Sequence, residues 1–281
     1  MTAQLSGDLI RNKLPTYTFG QNVIYTKQTG STNTDLKKYA RSGAPEGMLV
    51  ATDEQLVGRG RLQRSWMAPA GSGILASLLF RPDFLEPAQT PQITMLCALA
   101  MLDAIAAHTH LEAALKWPND IVWHNHKKLA GLLTETEFEN NTLSWVVVGL
   151  GLNVNVDFSS FTHAEPDRPN RPGSGHPPLA ESATSLSMIL EKDTDHLRLP
   201  ILQHYLKNVE QRYIALKKGV SPHFEWQRRL IDMGQPVTVH NAENNRQHSG
   251  VVTGVNENGG LRLRQPNGSI VTVLAGDVTL R

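Results

Sequence analysis

The 281-residue chain is short of cysteine, of net charge and of nucleotide-binding signatures, and each shortage excludes something. A single cysteine, Cys97, rules out an internal disulfide and a thiolate-built zinc cluster. With 27 basic and 26 acidic residues the formal charge is +1, so no global field draws the chain to nucleic acid or to an anionic membrane. The apolar runs read as shorter than the roughly 18–20 residues of a spanning helix. The first eight residues lack the basic stretch and apolar run of a secretory signal. A soluble, cytoplasmic chain is the expectation. There is no G-x-x-x-x-G-K-[ST] phosphate loop and no G-x-S-x-G elbow. Gly149 and Gly151 fall short of a dinucleotide fingerprint, because the third glycine position is occupied by Val154. What remains, 40% apolar and 19% charged, suits a packed core.

From Val23 the chain alternates strand-like and helix-like runs. Residues 47–55 and 74–80 predict buried strands, and residues 91–107 a core helix opened by Pro91. Residues 120–138 predict a hairpin turning at 125–127, and residues 143–156 a further strand. Residues 161–178 carry five prolines and predict an irregular surface loop. Helical spacing resumes near 183–190 and again at 199–216, where Ile201, Tyr205, Leu206, Val209, Tyr213 and Leu216 recur every three or four residues. After Met233 the pattern becomes short alternating runs broken by turns such as Asn258-Gly259-Gly260, which predicts a small β module docked on the rest. The division is 1–232 and 233–281.

Four clusters carry chemistry. Ser31, Thr32 and Asn33 precede a helical run and read either as an N-cap or as polar groups for a ligand head. Gly58-Arg59-Gly60-Arg61-Leu62-Gln63-Arg64-Ser65-Trp66 offers backbone freedom and forked donors suited to carboxylate and phosphate; an RNA contact or a solvated basic turn fits the same residues. Lys116-Trp117-Pro118-Asn119-Asp120 joins a point charge, an amide and a carboxylate at a strand junction, with Lys127 and Lys128 returning after the hairpin. That set suits chemistry on a nucleoside triphosphate, or is a surface turn with an incidental ion pair. Gly149-Leu150-Gly151-Leu152-Asn153 marks close approach of another group, with Asn153 able to read an adenine edge. His108/His110 and His124/His126 lack a third ligand and read as solvated.

In this order the clusters, with Lys128-Leu129-Ala130-Gly131, resemble those of the biotin protein ligase family, the biotin–[acetyl-CoA carboxylase] ligases, over most of the chain. The resemblance implies an α+β fold of the class II synthetase-like kind: a mixed, mostly antiparallel sheet with helices on one side, then an SH3-like barrel. It implies attack of the biotin carboxylate on the α-phosphorus of Mg-ATP to give biotinyl-5′-AMP, then transfer to a lysine of a biotin carboxyl carrier domain with release of AMP. Ser31, Thr32, Asn33 and Gln55 would line the biotin pocket. Arg59, Gly60 and Arg61 would belong to the loop that closes over biotin, with Gly131 beneath. Lys128 would bridge carboxylate and α-phosphate as the first catalytic residue, aided by Arg61. Arg64, Trp66, Lys116, Asn119, Asp120 and Asn153 would hold ATP, and Asp120 would bind Mg²⁺.

Three departures stand against that pattern. Gln63 occupies a position where the family usually has glycine. Lys127 and Lys128 both compete for one role. The loop at 161–178 has no counterpart in the pattern. The 30 residues before Ser31 are too few for a helix-turn-helix, so the expectation is a monofunctional ligase, monomer or homodimer, with neither DNA nor a membrane as partner. Lipoate ligases and octanoyltransferases resemble the family in fold but lack the joint arginine loop and K-W-P-N-D. A non-catalytic binding protein is the alternative of another class.

Overall fold

The computed structural model describes residues 5–140, 142–161, 178–241 and 246–280. Most of the proline-rich loop predicted at 161–178 lies outside these residues. A short helix α1 (Gly7–Arg11) leads into β1 (Val23–Thr29), α2 (Thr32–Arg41), β2 (Leu49–Gln55) and β3 (Gly73–Phe80). Then follow α3 (Pro91–Thr109), β4 (Ala114–Lys116), β5 (Asp120–Trp123), β6 (Lys127–Glu139) and β7 (Thr142–Asn153). Helices α4 (Leu179–Ser182), α5 (Leu186–Leu190), α6 (Arg198–Lys217) and α7 (His223–Arg228) precede β8 (Pro236–Asn241), β9 (Arg246–Val255), β10 (Leu261–Arg264), β11 (Ile270–Val273) and β12 (Asp277–Leu280).

The first seven strands form one sheet in the order β1-β2-β3-β7-β6-β5-β4. Only β1 and β2 run parallel, so the sheet is mixed and mostly antiparallel. Every residue of β3 is buried, which explains its continuous apolar sequence: both faces of the sheet are covered. One face, through Ala76, Leu78, Val146, Val148 and Leu150, packs on α3 and α6. The other, through Val50, Leu79, Trp145 and Val147, packs on Leu36 and Ala40 of α2. The helices therefore lie on both sides of the sheet, not on one. Only Leu36 and Ala40 of α2 need cover, so its stripe is too narrow to be read as a second layer.

Helix α3 also corrects the reading of the apolar runs. With the turn before it, residues 87–109 are long and apolar enough to cross a membrane by length and composition, and 72% of that window is buried inside the protein. Its apolar residues face the sheet and α6 on nearly every side.

The last five strands form a separate antiparallel sheet, β11-β10-β9-β8-β12. Among the described residues the pairings leave β11 and β12 as its edges and include no closure of the SH3-like kind expected from the resemblance. This sheet is tied to the first part by Trp117, whose Nε1 donates to the Gly259 carbonyl at 2.8 Å. Residues next to Leu230 add to β4: Leu115 donates to the Arg229 carbonyl and Ile231 to the Leu115 carbonyl.

Candidate active site

Helix α2 packs on only part of its face of the large sheet. Beyond Val147 the strand continues as Gly149 and Gly151, and the cross-strand partner of Gly151 is Gly131. Three glycines on one face leave a trough where side chains would otherwise stand. Two side chains fill it. A Cβ on Gly149 would lie 2.2 Å from Asn33 Oδ1, and one on Gly151 would lie 2.3 Å from the indole of Trp66. The glycines are there because something must come close.

Asn33 closes one end of the trough. Helix α2 starts at Thr32 with Ser31 as N-cap, but the Ser31 side chain makes no capping bond. The polar run is engaged elsewhere. Gln55, at the end of β2, accepts through Oε1 from Thr32 N at 2.9 Å and lies 3.1 Å from Thr32 Oγ1. Ser77, buried in β3, lies 2.7 Å from Thr32 Oγ1 and 2.5 Å from Asn33 Oδ1.

Lys128 and Asp120 close the other end, and a β-bulge puts them there. Between β5 and β6 the register runs Asp120 to Gly131, Ile121 to Ala130, then Val122 to Lys128, so Leu129 is the extra residue. In a regular strand, residues three apart point to opposite faces; the bulge turns Lys128 to the same face as Gly131. Its Nζ lies 3.0 Å from where a Gly131 Cβ would be, 2.7 Å from Asp120 Oδ1 and 5.4 Å from the centre of a Trp66 ring. Of the two adjacent lysines, Lys128 is the one in the trough. Asn119, in the turn before Asp120, donates to the Leu132 carbonyl and receives Arg61 Nη1 at 3.5 Å. Asn153 donates to the carbonyls of Thr184 at 3.0 Å and Lys128 at 3.4 Å; its buried Oδ1 accepts nothing within the described residues.

The loop 58–66 covers the trough as a tight turn. Trp66 N donates to the Gly58 carbonyl at 2.9 Å and Gly60 N to the Arg64 carbonyl at 2.6 Å, while Arg59 bridges to Ser65. Gly58 is required, because a Cβ would lie 2.3 Å from the Trp66 carbonyl. The loop is held from above by the small sheet. Arg64 pairs with Asp277 at the start of β12, and Arg61 lies 3.8 Å from the same carboxylate and 3.4 Å from the Gly276 carbonyl. Lys116 in β4 is the cross-strand partner of Asp120, and its charge also acts on the buried Asp232. Burial pushes the Asp232 carboxyl above its ordinary value, and the charges of His126 and Lys116 offset part of that rise.

Residues 25–153 match the biotin/lipoate A/B protein ligase family, and residues 232–281 match the biotin protein ligase C-terminal domain. A bifunctional ligase/repressor of Bacillus spizizenii is 35% identical over 279 residues, 99% of this chain and 79% of that protein. The chain belongs to the biotin protein ligase family. Another member, the biotin–[acetyl-CoA-carboxylase] ligase of Mycobacterium tuberculosis, is 31% identical over 89% of this chain and 86% of its own. The biotin protein ligase of Aquifex aeolicus, solved in complex with biotin and ATP, superposes with a TM-score of 0.71 at 26% identity, covering 93% of this chain and 99% of that one.

Within this ligase fold the structure brings together Thr32, Asn33, Gln55, Trp66, Asn119, Asp120, Lys128, Gly131 and Asn153, with Arg61 and Arg64 on the covering loop. It also places three residues that the sequence reading passed over: Ser77, Asp277, and Glu135, which binds Asn33. Ser77 is one hydroxyl in an apolar strand, and Asp277 is more than 200 residues from its arginines, so neither carries a local signal.

Proposed function

We propose that the chain is an ATP-dependent biotin protein ligase, and that one observation carries the reading: a polar head site and a lysine–carboxylate pair stand at the two ends of a glycine-floored trough. From Gly149 to Asn153 the strand spans about 13 Å, the length of a bicyclic head and an extended acid chain, which would lie over the Asn33 and Trp66 side chains that fill the glycine floor. Thr32, Asn33 and Gln55 take the ureido head. Lys128 Nζ neutralises the carboxylate and the α-phosphate, two anions that must meet at bonding distance. A carboxylate oxygen attacks the α-phosphorus, pyrophosphate leaves, and biotinyl-5′-AMP remains under the loop. The ε-amine of a carrier-domain lysine then attacks the acyl carbon, AMP leaves, and the nitrogen loses a proton to give the amide.

Arg61 and Arg64 are poised to exchange Asp277 for phosphate oxygens, forked donors meeting the same geometry. The buried Oδ1 of Asn153 offers an acceptor to the adenine amino group. Mg²⁺ fits Asp120 by donor type: its carboxylate, here paired through Oδ1 with Lys128 Nζ at 2.7 Å, would take the ion when Lys128 turns to the ligand anions. One carboxylate together with phosphates and water is the set that this ion takes, and there it offsets phosphate charge. The acceptor in this reading is the lysine of a biotin carboxyl carrier domain, and the reaction belongs to the cytoplasm.

The test is exchange of labelled pyrophosphate into ATP. Exchange that requires biotin supports the reading. Exchange with lipoate but not biotin would move the chain to the lipoate branch, and no exchange with either would favour a binding protein.

A further inference from the structure

Two histidines meet between α3 and α6, the helices that cover the face of the large sheet away from the trough. His108 stands in the last turn of α3, while His110, its neighbour in the sequence motif, lies beyond the helix as an exposed left-handed cap. The partner of His108 is instead His204 of α6, 96 residues along, which the motif could not reveal. His204 Nδ1 lies 3.3 Å from His108 Nε2, with the ring planes at 88° and the ring centres 5.3 Å apart. No water fits between nitrogens so close, and the contact is longer than the roughly 2.7–3.2 Å of an ordinary N–H hydrogen bond. Nitrogens aimed straight at each other over this distance would hold the ring centres about 5.6 Å apart. Two imidazoles bound to one zinc ion at about 2.0–2.1 Å, a tetrahedral angle apart, bring the nitrogens to about 3.4 Å and the centres to about 5.2 Å. The observed pair of separations fits the second arrangement.

We propose that His108 and His204 form a site for a late first-row divalent cation such as zinc, which clips α3 to α6. Imidazole nitrogen suits zinc, nickel and copper, and not magnesium or calcium. Burial pushes the His108 imidazole below its ordinary value, and the neighbouring His204 adds to the fall. Burial lowers His204 as well; Lys207 on its own helix adds to that, and Asp103 of α3 opposes it. Both rings are therefore neutral at pH 7, the form that offers a lone pair to a metal. Without the cation, one facing nitrogen carries a proton and donates weakly to the other. The cation takes the place of that proton, which moves to the far nitrogen of the same ring. The carbonyl end of α3, where His108 stands, carries partial negative charge and favours the ion. Among the described residues no group of three His, Cys, Asp or Glu side chains forms a metal cluster, so water completes the shell through the partly exposed rings. Such a site binds reversibly and less tightly than a closed structural one. Its effect falls on the packing of the two helices and leaves the chemistry at Lys128 to the other face of the sheet.

The test titrates zinc chloride into the full chain, free of any polyhistidine tag and of nucleotide, at pH 7. Wild type is compared with His108→Gln, His204→Gln and, as a control, His110→Gln. Calorimetry should find a zinc site in wild type that each substitution within the pair weakens about tenfold or more and that His110→Gln leaves unchanged. With free zinc at about ten times the dissociation constant, the melting temperature of wild type should rise by about 3 °C, and that of the pair variants should stay in place. The affinity should fall towards about pH 5.5, as the imidazoles take up protons. His108→Gln, at the end of its helix, carries the test if His204→Gln fails to fold. Zinc bound as tightly by the pair variants as by wild type would overturn the site, and so would a wild type that binds no zinc below about 1 mM.

Discussion

Replacing Gly151 with alanine tests whether the trough works as a seat for Trp66. The added Cβ would lie 2.3 Å from Cε2, 2.5 Å from Cζ2 and 2.8 Å from Nε1 of that indole. Ordinary carbon contacts begin at about 3.5 Å, so the ring must retreat by roughly 1.2 Å. The indole is a rigid bicycle, so nothing within it can give, and the shift passes to the loop 58–66 and to its arginines. The backbone at Gly151 is extended, and alanine is at home in a strand, so the substitution should leave thermal stability within a few degrees. A displacement of about 1 Å in a residue that orders reacting groups costs on the order of 100-fold. The expected result is a fall of that size in kcat/KM for biotin in pyrophosphate exchange, with a wild-type melting curve. An exchange rate within twofold of wild type would refute the claim that the glycines exist to admit Trp66.

Lys128→Ala should lower exchange by about 1,000-fold, because a unit charge about 4 Å from the reacting anions contributes roughly 4 kcal/mol at an effective dielectric of 20. Lys127→Ala should stay near wild type, and the reverse pattern would reassign the role. Asp277→Asn should release Arg61 and Arg64, so limited trypsin digestion of the ligand-free protein should cut within 58–66 faster, and equal rates would show that the small sheet does not hold the loop. Asp232→Asn should raise the melting temperature at pH 7. The folded Asp232 binds its proton more tightly than an unfolded aspartate of pKa about 3.9, so its cost appears as pH rises through the folded value. The gain from asparagine should shrink towards pH 4, and a constant gain would contradict the sign.

The elements legible in the sequence were those with a strong local signal. The helix at 91–107 and the hairpin at 120–138 differ from α3 and from β5–β6 only at their ends, because Pro91 and the turn at 124–126 mark them. The glycines at 131, 149 and 151 were visible as close approaches, but not what approaches them, since Trp66 arrives from a loop more than 60 residues away. The bulge at Leu129 kept Lys127 open beside the preferred Lys128, because a one-residue slip in register turns a side chain to the other face without changing composition. The second helical layer was missed because α2 buries only Leu36 and Ala40 as apolar cover, a stripe too narrow to mark it. Ser77 and Asp277 gain their meaning only from long-range pairing, through Asn33 and Arg64.

The central claim is that this trough joins biotin to a carrier lysine through an adenylate. The most direct measurement is a single-turnover reaction of the chain with biotin, ATP and a purified biotin carboxyl carrier domain, followed by intact-mass and peptide mass spectrometry. The account predicts one biotinyl group on one carrier lysine and one AMP released per transfer, with no product when ATP is left out. A carrier that stays unmodified while the chain turns over ATP with biotin, or one that takes lipoate in place of biotin, would contradict it.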